Sequence, residues 1–242
     1  MLDVWVSLSP PALPVCLGPD EALRRDRFLC HRAREDHGTA HSLKRYVLSH
    51  YVPACLPHGW EFVHSDTGKP AVRGAFPYQF NLSHSAAHIA VAVAAGEVGV
   101  DIERDRPLAA ASSLVQRFFH PNEQRWFFQQ AACESAFFRL WTMKEALLKA
   151  AGTGFTHPPE QVAWEGLDEP WAHASFAGQR WVGHCRRLGA ATLAVAVRSR
   201  SVVDGARLLR VAGPGEARAG AGGTPLCWDE EPLVAAEVMQ GG

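Results

Sequence analysis

The chain has 242 residues, 47% of them hydrophobic and 20% charged, with a formal net charge of −1 when its 12 histidines are neutral. That length suits one large domain or two small ones around a real buried core. The near-zero charge gives no global pull toward nucleic acid or a membrane surface, and the longest apolar stretch, Ile89 to Ala95, is far too short to span a bilayer.

Met1 to Pro10 has no basic segment followed by an apolar one, so no signal peptide is expected. Over residues 20–56 an apolar stripe at Leu43, Val47 and Tyr51 predicts a helix that Pro53 and Pro57 stop. Ser65 to Pro70 is a turn-forming loop. Phe80 to Ser85 leads into a buried strand, Ile89 to Val93. Gly96-Glu97 is read as a hairpin turn, with Val98 to Glu103 as the return strand ended by Pro107. Residues 112–130 read as one or two helices interrupted at His120-Pro121-Asn122, where Pro121 suits a first helical position. Residues 134–151 form the clearest helix, terminated by Gly152 and Gly154. The second half is strand-like, and its best strand, Ala191 to Val197, echoes Ile89 to Val93. Residues 213–223 are Gly/Ala-rich and read as flexible, Trp228 and Leu233 are expected to dock back on the body, and Asp229 to Glu231 reads as a solvated acidic run.

Six cysteines, Cys16, Cys30, Cys55, Cys133, Cys185 and Cys227, form no Cys-x-x-Cys pair and match no zinc spacing. Scattered thiols without an export signal predict a cytoplasmic protein, with each thiol buried as a small hydrophobe. His37 and His41 are four apart on the first helix, but no glutamate motif accompanies them, so they are read as ordinary surface or half-buried histidines.

In Val98-Gly99-Val100-Asp101-Ile102-Glu103 alternate residues share a face, so the two acids point one way and the apolar residues into the core. Adjacent carboxylates repel unless a cation lies between them, and an oxygen-only set suits Mg²⁺ completed by water and phosphates. A solvated polar face beside Arg104 and Arg106 is the other reading, and this segment alone leaves both open. In Trp141 to Lys149, Trp141, Glu145 and Lys149 fall on one helical face. Glu145 and Lys149 form either a simple salt bridge or a metal-binding, proton-accepting acid with a phosphate-binding amine. Gly68-Lys69-Pro70 offers close backbone approach and a point charge for phosphate, and Ser83 and His84 can donate hydrogen bonds to phosphate oxygens. A nucleophilic Ser83–His84 pair is rejected: neighbours on an extended chain face opposite ways, and no Gly-x-Ser-x-Gly elbow is present.

Taken in order, Gly68-Lys69-Pro70, Asn81-Leu82-Ser83-His84-Ser85, Val98 to Glu103, Arg117-Phe118-Phe119 with Glu123, and Phe138 to Ala146 with Lys149 resemble the Sfp-type 4'-phosphopantetheinyl transferases. The resemblance runs from about Arg24 to about Phe155, with a weaker trace to Val197. It implies Mg²⁺ ligands at Asp101, Glu103 and Glu145, with Asp101 and Glu145 the firmer pair, and Mn²⁺ as a possible substitute. It implies catalytic roles for Glu145, Lys149 and His84, with Lys149 near the transferred phosphate and His84 on the coenzyme A diphosphate. Gly68, Lys69, Pro70, Asn81 and Ser83 match coenzyme-contacting segments. Arg24 and Arg45 align by spacing with basic residues of the first helix region, Arg24 being the better match for a 3'-phosphate contact. One departure is Ala86-Ala87, where a glycine often follows Ser-His-Ser.

The implied fold is α+β, a pseudo-dimer of two similar halves. Each packs a small antiparallel sheet on a long helix, and the active site lies in the cleft between them. The expected division is 1–105, carrying the coenzyme loops and the Asp101/Glu103 strand, 106–200, carrying the catalytic helix 134–151, and a partly flexible extension, 201–242. The implied reaction is attack by a serine of an apo acyl or peptidyl carrier protein on coenzyme A, releasing adenosine 3',5'-bisphosphate, as in holo-[acyl-carrier-protein] synthases. Glu145 is the candidate base, acting directly or through water. The expected partners are coenzyme A and the carrier, without nucleic acid or membrane, and the expected state is a monomer. Fatty-acid, polyketide and peptide-synthetase carriers all remain open.

Overall fold

The computed structural model describes residues 1–153, 157–198, 203–212 and 226–234. The Gly/Ala-rich run 213–223 and Gly154 lie outside the described residues. The chain opens with a buried strand that the sequence reading did not single out, β1 (Leu2–Ser7), followed by α1 (Pro19–Asp26) and α2 (His31–Tyr51). A short pair, β2 (Phe62–His64) and β3 (Pro70–Val72), flanks the Ser65–Lys69 turn. Then come β4 (Gln79–Ser85), β5 (His88–Ala94) and β6 (Val98–Arg104). Three helices follow, α3 (Ala111–Phe118), α4 (Pro121–Phe127) and α5 (Cys133–Ala151). The chain continues through β7 (Trp164–Glu165), β8 (Ala172–Phe176), β9 (Gln179–Leu188), β10 (Ala191–Val197), β11 (Arg207–Val211) and β12 (Trp228–Pro232).

The described strands build two five-stranded sheets, β12-β11-β1-β5-β4 and β6-β10-β9-β8-β7, each antiparallel except for the parallel β1–β11 pair. The result is α+β and four layers deep. One core packs α2, through Ala40, Leu43 and Val47, on Trp5, Val91 and Val93. A second lies between the sheets, and a third packs α5, with help from α3 and α4, on the far side of the second sheet. Strands with a core on both sides have no polar face, which is why β5 and β10 read as continuous apolar runs.

One expectation about these strands is corrected. Val98–Arg104 is not the hairpin partner of Ile89 to Val93. It hydrogen-bonds to β10, Asp101 facing Ala194, while β5 pairs with β1 and β4. The Asp101/Glu103 strand, assigned from sequence to the first half, therefore forms the edge of the second sheet. The strand echo also conceals an inversion. In β5 the large residues Ile89, Val91 and Val93 face α2 and the alanines face the other sheet. In β10 Leu193, Val195 and Val197 face the other sheet and Ala194 and Ala196 face α5. Large side chains on one sheet thus meet small ones on the other, as interdigitated packing requires.

The predicted helices appear where expected. Gly152 ends α5 in the left-handed region at φ +68°. His120 caps α4, its ring accepting the Asn122 N–H at 3.3 Å, with Pro121 in the first turn. Trp228 packs edge-on against Trp5 at 5.0 Å and Leu233 is fully buried, so the last strand does dock back. Among the described residues no cysteine forms a disulfide; Cys30 and Cys133 are exposed and the other four only partly covered. The two exposed thiols sit at helix starts, Cys30 as the α2 N-cap and Cys133 as the first residue of α5, where the chain is still on the surface. No helix among the described residues is long and apolar enough to cross a membrane.

Candidate active site

The close approach of α5 to β6 builds the site, and one glycine permits it. A Cβ on Gly99 would lie 2.0 Å from the Ala146 carbonyl oxygen and 2.4 Å from the Ala150 nitrogen. Gly99, Asp101 and Glu103 share a strand face, so the bare position lets the helix backbone settle beside the two acids. Along α5 from Trp141 to Ala150, only Trp141, Glu145 and Lys149 are half-open and every other position is buried. That four-residue stripe delivers Glu145 and Lys149 to the acid pair.

Asp101 is 4% exposed. Its Oδ1 accepts the Lys149 ammonium at 2.6 Å and the Ser83 hydroxyl at 2.7 Å, and Lys149 also donates to Ser83 Oγ at 3.1 Å. Its Oδ2 is buried with no hydrogen-bond partner. Glu103 Oε2 accepts the Ser85 hydroxyl at 2.9 Å and the Arg106 guanidinium at 3.4 Å. Burial, then the charges of Asp101 and Glu103, push the Glu145 carboxyl up to about 7, against the pull of Lys149. The Lys149 ammonium pairs with Asp101, not with the glutamate one helical turn before it.

Lys149 also opens onto a cavity of about 750 Å³ between α2, the β2–β3 hairpin and the C-terminal end of α5. Arg24, Gly68, Lys69, Pro70, Asn81 and His84 line it, as does Arg45. Most of the residues named from sequence for coenzyme contact therefore share one chamber. Ser83 lies behind this wall, while Asp101, Glu103 and Glu145 lie beyond Lys149 and do not line the chamber. Within it the residues differ in freedom. Arg24 and His84 are exposed. Enclosure by the surrounding protein, with the positive charges of His37, Lys149 and Arg24, lowers the His84 pKa, partly offset by Asp36. Lys69 donates to the Ala150 carbonyl at 2.6 Å, capping the α5 C-terminus and tying the hairpin loop to that helix. Arg45 is 2% exposed, with Nε on Glu21 at 2.6 Å and NH1 on the Pro57 and Trp60 carbonyls. Those donors hold the chamber wall together.

Glu21 and Lys44 were missed by the sequence reading. Glu21 accepts the Gly18 N–H at 2.8 Å, Lys44 at 2.5 Å and Arg45, and its Oε1 is 3.1 Å from His41 Nδ1. Burial alone would raise its pKa, but the His41 hydrogen bond and the charge and hydrogen bond of Lys44 hold it far below the usual range. Lys44 is driven down to about 8 by burial, against the pull of Glu21, and rests 3.6 Å from the Phe62 ring centroid. Burial likewise brings His41 down to about 4. Gly18-Pro19-x-Glu21 at a helix start was the available signal for Glu21. For Lys44 the only signal was its place beside Arg45. Lys144, inside the same sequence block as Glu145, points the other way. It pairs with the fully buried Glu123 at 2.6 Å and donates to the Pro159 and Val162 carbonyls, fastening α5 to α4.

For a divalent cation, the fit rests on the donor set. Oxygens alone are offered, Asp101 Oδ2 is buried and unpartnered, and Glu145 is crowded by like charge. Among the described residues no group of three or more His, Cys, Asp or Glu closes into metal-holding geometry. Instead Lys149 and Arg106 supply the positive charge beside Asp101 and Glu103. The residues thus suit a hard cation, with Lys149 as the present counter-charge on Asp101.

Comparison with known proteins bears on the same residues. A model of the 4'-phosphopantetheinyl transferase superfamily matches residues 97–196, from the acid strand through α5 to β10. The chain is 40% identical over 138 residues to 4'-phosphopantetheinyl transferase psf-1 of Bacillus pumilus, covering 56% of this chain and 57% of that protein. It is 34% identical over 148 residues to 4'-phosphopantetheinyl transferase HetI of Nostoc sp., covering 59% of this chain and 62% of that protein. The matches thus span about three fifths of the length of these two relatives. With 4'-phosphopantetheinyl transferase AcpT of Escherichia coli K12 the identity is 35% over 177 residues, covering 67% of this chain and 71% of that protein. A solved structure, Thermotoga maritima holo-[acyl-carrier-protein] synthase, covers 42% of this chain and 61% of its own at 18% identity and a TM-score of 0.32, too low to bear on either fold or function. On the superfamily match and the AcpT relationship, the chain belongs to the 4'-phosphopantetheinyl transferase superfamily.

Proposed function

We propose that this protein transfers the 4'-phosphopantetheine group of coenzyme A to a serine of an apo acyl or peptidyl carrier protein. The observation that carries this reading is the joining, at Lys149, of a cation-lined chamber to a patch of three acids. Coenzyme A is a polyanion of matching chemistry, with a diphosphate and a 3'-phosphate. In this reading Arg24, an exposed cation on the chamber wall, takes the 3'-phosphate. Gly68, Lys69, Pro70 and Asn81 shape the wall, and His84 donates toward the diphosphate. Lys149 uses two donors on Asp101 and Ser83, and its third is open to a phosphate oxygen.

The carrier serine needs a base. A carboxyl near about 7 suits proton acceptance at neutral pH, and Glu145 holds that proton as the hydroxyl attacks the β-phosphate. Adenosine 3',5'-bisphosphate leaves, and Lys149 stabilises the developing charge. Mg²⁺, or Mn²⁺ in its place, would be held by Asp101, Glu103 and Glu145 and would neutralise diphosphate charge. The two sheet-and-helix layers are the halves of a pseudo-dimer in this reading, acting as a cytoplasmic monomer. The chemistry is that of a holo-[acyl-carrier-protein] synthase, with the choice among fatty-acid, polyketide and peptide-synthetase carriers open.

Incubation with coenzyme A, Mg²⁺ and an apo carrier, followed by intact mass, tests this. The carrier should gain one phosphopantetheine. Coenzyme A cleavage with an unmodified carrier, or binding without either change, would overturn the reading.

A further inference from the structure

β4 and β6 are edge strands of the two sheets, and side chains, not a backbone ladder, join them. Asn81 Oδ1 accepts the Val100 N–H at 3.0 Å, Ser83 Oγ the Ile102 N–H at 3.3 Å and Ser85 Oγ the Arg104 N–H at 3.2 Å. Each step is two residues on both strands, so the strands run parallel and alternate positions of β4 serve the free edge of β6. The serines also act a second time. Ser83 donates to Asp101 Oδ1 at 2.7 Å and Ser85 to Glu103 Oε2 at 2.9 Å. A hydroxyl has one proton to give and lone pairs to receive, so both bonds coexist. Opposite Asn81 the matching position on β6 is Gly99, which has no carboxylate to hold, and an amide serves the backbone alone.

We propose that Ser83 and Ser85 are positioning residues: each locks one oxygen of an acid against the β6 backbone and leaves the other free for a divalent cation. The inference rests on the metal reading given under Proposed function. Asp101 shows the arrangement most plainly, with Oδ1 doubly bonded and Oδ2 buried without a partner. On Glu103, Ser85 and Arg106 both fall on Oε2. A carboxylate already oriented loses less side-chain freedom when it binds, and hydrogen-bonding partners of ligands affect metal affinity by about 10–100-fold.

The test is direct Mn²⁺ titration of the whole protein, followed by the electron paramagnetic resonance of free Mn²⁺, without coenzyme A or carrier. Native protein, Ser83→Ala, Ser85→Ala and Ser85→Thr are compared, each with a melting curve. Both alanine variants should bind Mn²⁺ about 10-fold more weakly or worse. Ser85→Thr, which keeps the hydroxyl, should stay within about threefold of native. Ser85 is only half-buried, so its variants carry the test even if Ser83→Ala fails to fold. Native-like Mn²⁺ affinity in Ser85→Ala, or equal weakening in Ser85→Thr, overturns the positioning role while the metal reading stands. A native protein that takes up no Mn²⁺ removes the metal reading and this inference with it.

Discussion

At Glu145, burial and like charge act together, and the consequence is a pH dependence with a definite sign. The carboxyl is pushed up to about 7, whereas an unfolded glutamate titrates near about 4.3. The folded protein therefore binds this proton more tightly than the unfolded chain does. Its contribution to stability is fully present below about pH 4 and is lost as pH rises through about 7. In metal-free buffer the native melting temperature should fall between about pH 5 and about pH 8 more steeply than that of Glu145→Gln. Parallel slopes would show that Glu145 is not the titrating group. In the transfer assay the same variant should lose about 10²–10⁴-fold in rate, the usual range for a missing general base. A second residue-scale effect lies at Ala86, in the two-residue turn between β4 and β5, at φ +52°. An L-residue there costs about 1–2 kcal/mol, and glycine's extra chain entropy returns about 0.5–1 kcal/mol of that. Ala86→Gly should therefore raise the melting temperature by about 2 °C, and a lower value would refute the strain.

At the scale of elements, the contact that matters is α5 on β6. Gly99→Ala would drive a methyl into the helix backbone, which cannot rotate aside as a side chain can. Overpacking of this kind costs about 1–3 kcal/mol or more. Gly96 has nothing within 4 Å of a built Cβ, so Gly96→Ala is the control and should stay within about 0.5 kcal/mol. Urea unfolding of the two variants checks the difference. Equal stabilities would mean that the helix can withdraw at no cost. The helix has a second fastening in Lys144–Glu123, so the prediction concerns a helix shifted beside Asp101, not one detached.

At the scale of the molecule, the end of the chain closes the first sheet. β11 lies parallel to β1, and Arg207 grips the buried Asp3 with Nε at 2.8 Å and NH2 at 2.7 Å. Tyr51 donates to the same carboxylate at 2.7 Å and accepts from Trp5, so three distant segments meet on one acid. Removing the guanidinium leaves a buried charge with one hydroxyl donor. Arg207→Ala should cost on the order of 2 kcal/mol, below the usual figure for a fully buried pair because Arg207 is partly exposed. Native-like urea unfolding of this variant would show that Asp3 is otherwise satisfied. Residues 203–212 and 226–234 thus complete the sheet whose β4 strand, through Asn81, Leu82 and His84, lines the chamber.

The sequence by itself determined which residues share a face and where most of the local elements fall. Gly99, Asp101 and Glu103 must share a face in any strand, and Trp141, Glu145 and Lys149 in any helix, because those periodicities are properties of the backbone. The helix limits near Pro53, Pro121 and Gly152 followed from the same local rules. What only the tertiary structure decided is which edges and charges meet. Hydrophobic alternation cannot say whether β6 returns on β5 or crosses to β10, since both strands are apolar on both faces. The equal-looking runs in β5 and β10 prove to be turned opposite ways, because sheet packing selects complementary sizes. Arg45 lines the chamber with Nε and NH1 held by Glu21 and two carbonyls, and Glu21 and Lys44, which looked ordinary, hold that wall together. Lys149 pairs with an acid 48 positions away instead of the glutamate one turn before it. Spacing along the chain fixes direction, but burial and the balance of charge across a contact fix partners, and those exist only once the layers have closed.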